Sequence, residues 1–186
     1  MLTLETTNYL LALGAITMQA ATVALLVLYV LRRQPALANI TGFVSRWGLW
    51  IALLVSVIGS MLTLFYSEVL GLPPCPLCWW QRAFLYPQII FFALALWKKD
   101  CAVANYSIVM SIIGLGVALY HHALQVLPSG TLPCPAEGAV SCAQRFVFEF
   151  DYITFPLMAA TIFAFLIVLM FFVRRDVSQN YTADVS

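Results

Sequence analysis

The feature that most constrains this chain is a series of long stretches without charged residues. Four of them, at 6–31, 47–67, 101–136 and 152–173, each contain more than about 20 residues. An α-helix rises 1.5 Å per residue, so about 20 residues cross the roughly 30 Å of a bilayer's hydrocarbon core. Backbone amides cannot go unpaired in lipid, and no stretch alternates as a barrel strand does. We therefore expect these stretches to be membrane-spanning helices.

A fifth, shorter stretch at residues 83–97 ends before Lys98. At helical rise it covers only about 22 Å, which is less than the thickness of the bilayer core. Counting back about 20 residues from Lys98 reaches Cys78, so we expect this span to begin there and to include Arg82. The composition agrees, because 63% of the residues are hydrophobic and only 9% are charged, whereas soluble domains average about 25% charged. The predicted fold class is an all-α integral membrane protein with five spans.

The first stretch is predicted to be a permanent span, and not a cleaved signal peptide. Its only early charge is Glu5, and Arg32 and Arg33 follow it instead of preceding it. It is also longer than the usual apolar region of a signal peptide, which has about 7–15 residues.

The basic residues divide unevenly between the two sides that five alternating spans define. Seven of the nine lie in the segments 32–46, 98–100 and 174–186, and two, Arg82 and Arg145, lie on the other side. By the positive-inside rule the first side is cytoplasmic. We expect the N-terminus and the loops 68–82 and 125–151 to be extracytoplasmic and the C-terminus cytoplasmic. The net charge of +1 gives no reason to expect nucleic acid as a partner.

This topology sorts the five cysteines. Cys75, Cys78, Cys134 and Cys142 fall on the extracytoplasmic side, where disulfides form, and Cys101 falls on the cytoplasmic side, where thiols stay reduced. We interpret Cys101 as an incidental small apolar residue. Four cysteines allow three pairings, and the sequence does not choose among them, although pairing within each loop is the simplest.

The first pair lies in the segment Pro-Pro-Cys-Pro-Leu-Cys-Trp-Trp-Gln-Arg, residues 73–82. A Cys-x-x-Cys disulfide closes a very small ring, so it stabilises a fold little and is more suited to redox chemistry. Cys78 stands where a helix begins, and the helix dipole there favours a thiolate. Arg82 follows four residues later on the same helical face, as a costly cation within the membrane edge. We expect it to stabilise a thiolate or a bound polar headgroup, with neighbouring Gln81 as a weaker candidate.

The second pair, Cys134 and Cys142, lies in a polar loop that contains proline and glycine. Proline on each side of Cys134 disfavours helix there and favours an accessible, extended segment. A soluble partner would exchange disulfides at such a site. Zinc is an alternative for the four cysteines, but structural zinc sites usually pair two short spacings. Haem attachment is excluded because Trp79, and not histidine, follows the Cys-x-x-Cys. A purely structural role for the disulfides is left open, and we predict no metal site.

His121 and His122 end the fourth span near the extracytoplasmic face. Neighbouring helical residues point about 100° apart, so both cannot face one site. Interfacial positions are the simplest interpretation, and His122 is a weak candidate for a hydrogen bond to the carbonyl group of a bound cofactor.

Cys75-Pro-Leu-Cys78-Trp-Trp-Gln-Arg82 at the start of a span, followed by a second extracytoplasmic pair, resembles the DsbB family of disulfide bond formation proteins. The resemblance covers roughly residues 45–173. It implies a four-helix bundle that holds a quinone, ubiquinone or menaquinone, near the first pair, with an extracytoplasmic thioredoxin-fold, DsbA-like oxidase as partner. It also implies a bacterial inner membrane.

The resemblance also implies a role for each matching residue. Cys78 is expected to face the quinone with Cys75 as its resolving partner, and Arg82 to lie in the quinone site. Cys134 is expected to form the mixed disulfide with the partner, and Cys142 to complete the second pair. Electrons would pass from the partner's dithiol through both pairs to the quinone.

Two features depart from the family pattern. Residues 1–45 add an N-terminal span and a cytoplasmic loop before the four-helix bundle of residues 46–175, and residues 176–186 are expected to be a disordered tail. The second pair is also closely spaced, as in the family's short-loop relatives, which leaves the order of attack within it open. The alternatives are a vitamin K epoxide reductase-like protein, in which the quinone-facing pair lies late in the chain, and a non-enzymatic scaffold stapled by disulfides.

Overall fold

The computed structural model describes residues 4–128, 131–134 and 140–184, with side chains over 5–128, 131–134 and 140–174. Most of this part of the chain lies in five helices: α1 (Leu4–Leu31), α2 (Ala38–Leu64), α3 (Pro76–Lys98), α4 (Val103–Val126) and α5 (Phe155–Asp184). A 3₁₀ turn, Pro35–Leu37, precedes α2, and a π-helical turn, Phe65–Val69, follows it. In the described residues the extended structure consists of one bridge, between Glu149 and Ile153. The predicted all-α fold is confirmed.

Within the described ranges, four segments are long and apolar enough to cross a membrane. They are Glu5–Leu31, Pro35–Val69, Val103–Val126 and Phe155–Arg174. They overlap the four long charge-free stretches of the sequence. Helix α3 has 23 residues, or about 34 Å of helix, and its first turns carry Gln81 and Arg82, which lower its hydropathy. It begins at Pro76, close to the point reached by counting back from Lys98. Its role as a fifth span stays a prediction.

Helix α5 lies at the centre of the bundle and packs against α1, α2 and α4. Phe163, Leu166 and Met170 on this helix are fully buried. Gly114 of α4 lies against the ring of Phe163, where an added Cβ would come within 2.5 Å of a ring carbon. A small residue at this point lets the two helices approach closely, and van der Waals contact of this kind holds helices together in lipid.

A buried polar cluster joins α3 to α4. The side chain of Gln88 is fully buried, and its amide nitrogen donates to the Ser111 hydroxyl at 3.1 Å. The Ser107 hydroxyl donates to the Gln88 amide oxygen at 2.7 Å. Polar groups away from water must find partners within the protein, so this cluster fixes the orientation of α3, which carries the first cysteine pair.

Helix α1 packs along α5 and exposes most of its other surface. Ala12 and Ala15 are buried in a cluster with Ile153, and Gln19 donates to the Thr161 hydroxyl at 3.2 Å. Large apolar side chains on the opposite face are exposed, such as Val30 at 68%. An apolar exposed face is what a helix at the lipid boundary presents.

The backbone of α5 is helical as far as Asp184. The disordered tail expected over residues 176–186 stays a prediction, and residues 185 and 186 lie outside the described part of the chain. Extending an existing helix fixes one residue for each hydrogen bond gained, and only nucleation is costly. The long apolar span supplies the nucleus, so the polar residues after it can continue the helix.

Candidate redox site

The first cysteine pair occupies the first turn of α3. Cys75 is the N-cap, with an extended backbone (φ −72°, ψ 167°), and Pro76 follows at a position that favours proline. The backbone N–H of Cys78 donates to the Cys75 sulfur at 3.3 Å. The two sulfurs are 2.7 Å apart and belong to free thiols. Because a disulfide bond is about 2.0 Å long, a small movement of either side chain would bring the sulfurs to bonding distance, and a two-electron acceptor would then be needed to close the ring.

Cys75 precedes α3 and has the environment of a thiolate, although it is only 3% exposed. The hydrogen bond from the Cys78 side chain lowers the pKa of the Cys75 thiol to about 4, with a further lowering contribution from His121, against the opposing effect of burial. The charge that the sequence led us to expect on Cys78 is therefore stabilised first on Cys75, since Cys75 is the residue that caps the helix.

His121 of α4 lies between the two cysteine pairs and is 1% exposed. The Gln81 amide nitrogen lies 3.0 Å from its Nδ1 and donates to it, so the ring carries its proton on Nε2. Nε2 donates to the Cys142 carbonyl at 3.1 Å and lies 3.6 Å from the Cys75 sulfur. One imidazole thus contacts both pairs.

His122, the histidine that the sequence favoured, lies elsewhere. Its Nδ1 is 2.9 Å from the Thr154 hydroxyl, at the start of α5. A pattern in the sequence could have identified His121. The buried face of α4 consists mainly of small and polar residues at alternating spacings of three and four: Ser107, Ser111, Gly114, Ala118, His121 and Gln125. His121 lies on this inward stripe and His122 does not.

The second pair forms the disulfide Cys134–Cys142. Cys134 is exposed, whereas Cys142 is fully buried in an apolar cluster with Cys75, Leu77 and Leu124. Two hydrogen bonds hold the ends of this loop against α4. The Tyr120 hydroxyl donates to the Pro133 carbonyl at 2.6 Å, and the Gln125 amide donates to the Gln144 carbonyl at 3.0 Å. The disulfide therefore joins an exposed residue, Cys134, to a buried one, Cys142, that packs in the same cluster as Cys75.

A cavity of about 140 Å³ opens beside Cys78. It lies between α2, α3 and α5, and side chains of Leu62, Leu85, Met158, Ile162 and Phe163 give it a largely apolar lining. Cys78, Gln81 and Arg82 lie together on its α3 side. Apolar pockets with a few grouped polar side chains are typical of sites for small organic ligands.

Arg82 is 8% exposed, and its partners are uncharged. It donates to the Thr63 carbonyl at 2.8 Å, and its guanidinium carbon lies 5.2 Å from the centre of the Trp79 ring. A buried cation held in this way keeps its charge available for an anion in the cavity. The structure thus brings Arg82, Gln81 and Cys78 to one cavity, and the sequence had grouped the same three residues.

The site can be tested against two kinds of bound group. The ligand atoms of Cys75, Cys78 and His121 lie within 4.8 Å of one another, so they could hold a soft metal ion while both thiols are reduced. Cys134 and Cys142 are bonded to each other and offer no thiolate. A quinone fits the cavity better, because the apolar lining suits its ring, and Gln81 and Arg82 supply donors for its carbonyl oxygens.

Comparison with known proteins gives a consistent result. The family model "Disulfide bond formation protein DsbB" matches residues 45–173. A probable disulfide formation protein C of Halalkalibacterium halodurans is 35% identical over 69% of this chain and 92% of its own length. The SPbeta prophage-derived disulfide bond formation protein B of Bacillus subtilis is 43% identical over 59% and 74%, respectively. A probable disulfide formation protein of Chlamydia pneumoniae is 29% identical over 72% and 96%. No solved structure gives a significant match.

Proposed function

Because this chain belongs to the DsbB family of membrane disulfide bond formation proteins, we propose that it is a protein-dithiol:quinone oxidoreductase. In this proposal it reoxidises an extracytoplasmic thioredoxin-fold, DsbA-like partner. Electrons pass through Cys134 and Cys142 to Cys75 and Cys78, and from there to ubiquinone or menaquinone. The family resemblance found in the sequence is itself confirmed.

The observation that carries the proposal is the unequal exposure of the second disulfide. A partner in water can approach Cys134, which is exposed, and cannot approach Cys142, which is fully buried beside Cys75. Attack by the partner's thiolate on the Cys134 sulfur breaks the Cys134–Cys142 bond and leaves the electron pair on Cys142. The departing thiolate is then next to the first pair, which is where a relay needs it.

Three further thiol–disulfide exchanges complete the relay and balance it. The Cys142 thiolate attacks the Cys75 sulfur of an oxidised Cys75–Cys78 pair, and Cys78 leaves as a thiolate. The partner's second thiol displaces Cys134 and closes the partner's own disulfide. Cys134 then displaces Cys75 from Cys142, which restores the Cys134–Cys142 bond. The partner has lost two electrons, and Cys75 and Cys78 have gained them.

The cavity beside Cys78 suits the final acceptor. A quinone bound there supplies a two-electron acceptor that is reduced to a quinol when two protons are also taken up. Arg82 would stabilise negative charge on Cys78 or on a bound oxygen, and Gln81 would orient His121 and donate to the cavity. The N-cap position of Cys75 would hold its sulfur as a thiolate ready to close the ring again.

The packing of α1 supports the proposed orientation in a bacterial inner membrane. The Tyr9 ring lies 5.5 Å from the ring of Phe150, in the segment that follows the second pair. The N-terminal end of α1 is thus at the same end of the bundle as both cysteine pairs. With α3 as a fifth span, the N-terminus and the cysteines share the extracytoplasmic side, and the basic segments lie in the cytoplasm.

The test is to follow quinone absorbance with purified protein in detergent and a reduced thioredoxin-fold partner. We expect quinone loss with the wild-type protein and with Cys101→Ser, and none with Cys78→Ser. Cys101→Ser is the matched control because it is the same substitution at the opposite end of α3. Quinone consumption by Cys78→Ser at the wild-type rate would contradict the relay. No consumption by the wild type with several quinones and partners, despite an intact disulfide, would favour the stapled scaffold.

A further inference from the structure

Helix α1 precedes the part of the chain that matches the family, which begins at residue 45. It nevertheless reaches the cavity beside Cys78, because the side chain of Leu11 forms part of the cavity lining. The cavity wall of this protein therefore includes a residue that the family resemblance does not describe.

A second contact of α1 involves the same cavity. The Tyr66 hydroxyl donates to the Asn8 side-chain oxygen at 2.6 Å, and both residues are buried, at 5% and 8% exposure. The Tyr66 ring lines the cavity and meets the Phe155 ring edge-on at 4.6 Å between centroids. A buried hydroxyl without a partner is costly, so Asn8 stabilises Tyr66 in this position.

A third contact supports the opposite part of the wall. Ala12 and Ala15 are buried in an apolar cluster with Ile153, and Met158 of α5 packs against this cluster. Met158 also lines the cavity. One face of α1 thus supplies Leu11 directly, holds Tyr66 through Asn8 and backs Met158 through its small alanines.

We propose that α1 is the lipid-side wall of the cavity, and that Asn8 and Leu11 determine how tightly it holds the apolar part of a quinone. This inference rests on the proposed function for the identity of the ligand. The adjacent Leu10 points away from the cavity and is 54% exposed, which is the position expected of a side chain in contact with lipid. If α1 served only as a membrane anchor, a change at Leu11 would not alter the binding of a ligand in the cavity.

Matched substitutions at these two positions test the proposal. In Leu11→Trp the indole takes up space in a cavity of about 140 Å³, whereas in Leu10→Trp it extends into the detergent. We expect Leu11→Trp to raise the Kd for decylubiquinone about tenfold, or about 1.4 kcal/mol, by isothermal titration calorimetry on the full-length oxidised protein. Leu10→Trp should leave the Kd within about twofold of the wild type. In turnover, Leu11→Trp should raise the KM for quinone and leave the KM for the partner unchanged.

Asn8→Leu provides an independent test through a different contact. It removes the acceptor for the Tyr66 hydroxyl and should raise the Kd about threefold, less than Leu11→Trp, because Tyr66 also packs on Phe155. The double variant Asn8→Leu/Tyr66→Phe removes both polar groups and should bind more tightly than Asn8→Leu alone. Thermal unfolding and the Cys134–Cys142 disulfide content establish that each variant is folded.

The outcomes separate this inference from the proposed function. Equal Kd values for folded Leu11→Trp, Leu10→Trp and wild-type protein would overturn the proposal that α1 forms a wall of the cavity. The proposed quinone reduction would be unaffected by that result. Wild-type protein that binds decylubiquinone in a Leu11-dependent way but does not reduce it would support the wall and overturn the redox proposal. If the wild-type protein does not bind decylubiquinone at all, the proposal that α1 sets the affinity for quinone is wrong.

Discussion

The two cysteine pairs of this protein lie close together but in opposite environments. The second pair is a closed disulfide on a loop, with Cys134 exposed and Cys142 buried. The first pair is a reduced pair on the opening turn of α3, with Cys75 buried against His121 and Cys78 beside an apolar cavity. One pair is accessible from water and the other from the interior of the bundle.

This difference shows how one small bundle can separate two kinds of redox partner. A protein thiolate needs an exposed sulfur to attack, and an apolar acceptor needs a cavity open to the hydrophobic part of the molecule. Neither pair meets both needs. His121 and the cluster of Cys142, Cys75 and Leu77 join the two environments. In the proposed relay, a thiolate released at Cys142 would therefore lie next to Cys75.

The largest expected effect comes from removing the thiol of the exposed cysteine, Cys134. Cys134→Ser should lower partner-driven quinone reduction at least about 1000-fold, because the partner cannot reach the buried first pair by itself. Quinone absorbance measures this rate, with Cys101→Ser as the control. A rate near that of the wild type would break the comparison, since it would mean that the partner reacts directly with Cys75 or Cys78.

Arg82→Gln should affect the reaction of the first pair, Cys75 and Cys78, and leave that of the second pair unchanged. We expect quinone reduction to fall about 100-fold, because a preorganised charge at the cavity is lost, and Arg82→Lys should lose less. The first exchange should be unaffected, so the oxidation of partner in a single turnover without quinone should match the wild type. Slower oxidation in that single turnover would mean that Arg82 supports the folding of the whole site.

The two neighbouring histidines offer a matched pair of variants. His121→Leu removes a hydrogen bond donor from the Cys142 carbonyl and the Cys75 sulfur, and should slow the partner-driven rate about tenfold. His122→Leu, whose ring contacts Thr154, should leave the rate within about twofold. The reverse order would favour His122, which the sequence had suggested, as the residue of the redox site.

The prediction with the smallest effect on the rate concerns the charge on Cys75. This charge should give a distinct spectroscopic signal. Its pKa is lowered from 9.0 to about 4, so the ultraviolet absorbance of the thiolate in reduced protein should persist until the pH falls to about 4. A lowered pKa stabilises the folded reduced form. This contribution is fully present above pH 9 and is lost as the pH falls through about 4.

Two variants check the cause of that lowered pKa. Cys78→Ala removes the hydrogen bond that contributes most, and should raise the midpoint of the thiolate titration more than His121→Leu does. If His121→Leu instead gave the larger rise, the imidazole would be the main support of the thiolate. An unchanged midpoint in both would leave helix capping as its cause.

Much of the fold could be predicted from patterns that are local in the chain. Long charge-free stretches require helices because lipid offers no partner for the backbone, and the observed helices overlap all five. The start of α3 also followed from a local argument, since a span that ends at Lys98 must begin near Cys78. The position of Arg82 near Cys78 could also be predicted, because residues four apart share a helical face.

Features that depend on how the helices rotate against one another required the tertiary structure. The choice between His121 and His122 depends on which face of α4 turns inward. The sequence carries that information only in the stripe of small residues that runs from Ser107 to Gln125. The unequal burial of Cys134 and Cys142 also depends on where the loop rests, which Tyr120 and Gln125 decide through hydrogen bonds to carbonyl groups.

The amino-acid sequence by itself determined the membrane class of this protein, its helices and the two segments that carry the cysteines, because each of these follows from hydropathy or from spacing within one segment. Only the tertiary structure decided that α1 lines the cavity and that a single imidazole touches both pairs. Asn8 meets Tyr66 across 58 positions of the chain, and Cys75 meets His121 across 46. Contacts of this kind depend on packing between helices, and helix periodicity alone does not specify which neighbour a face will meet.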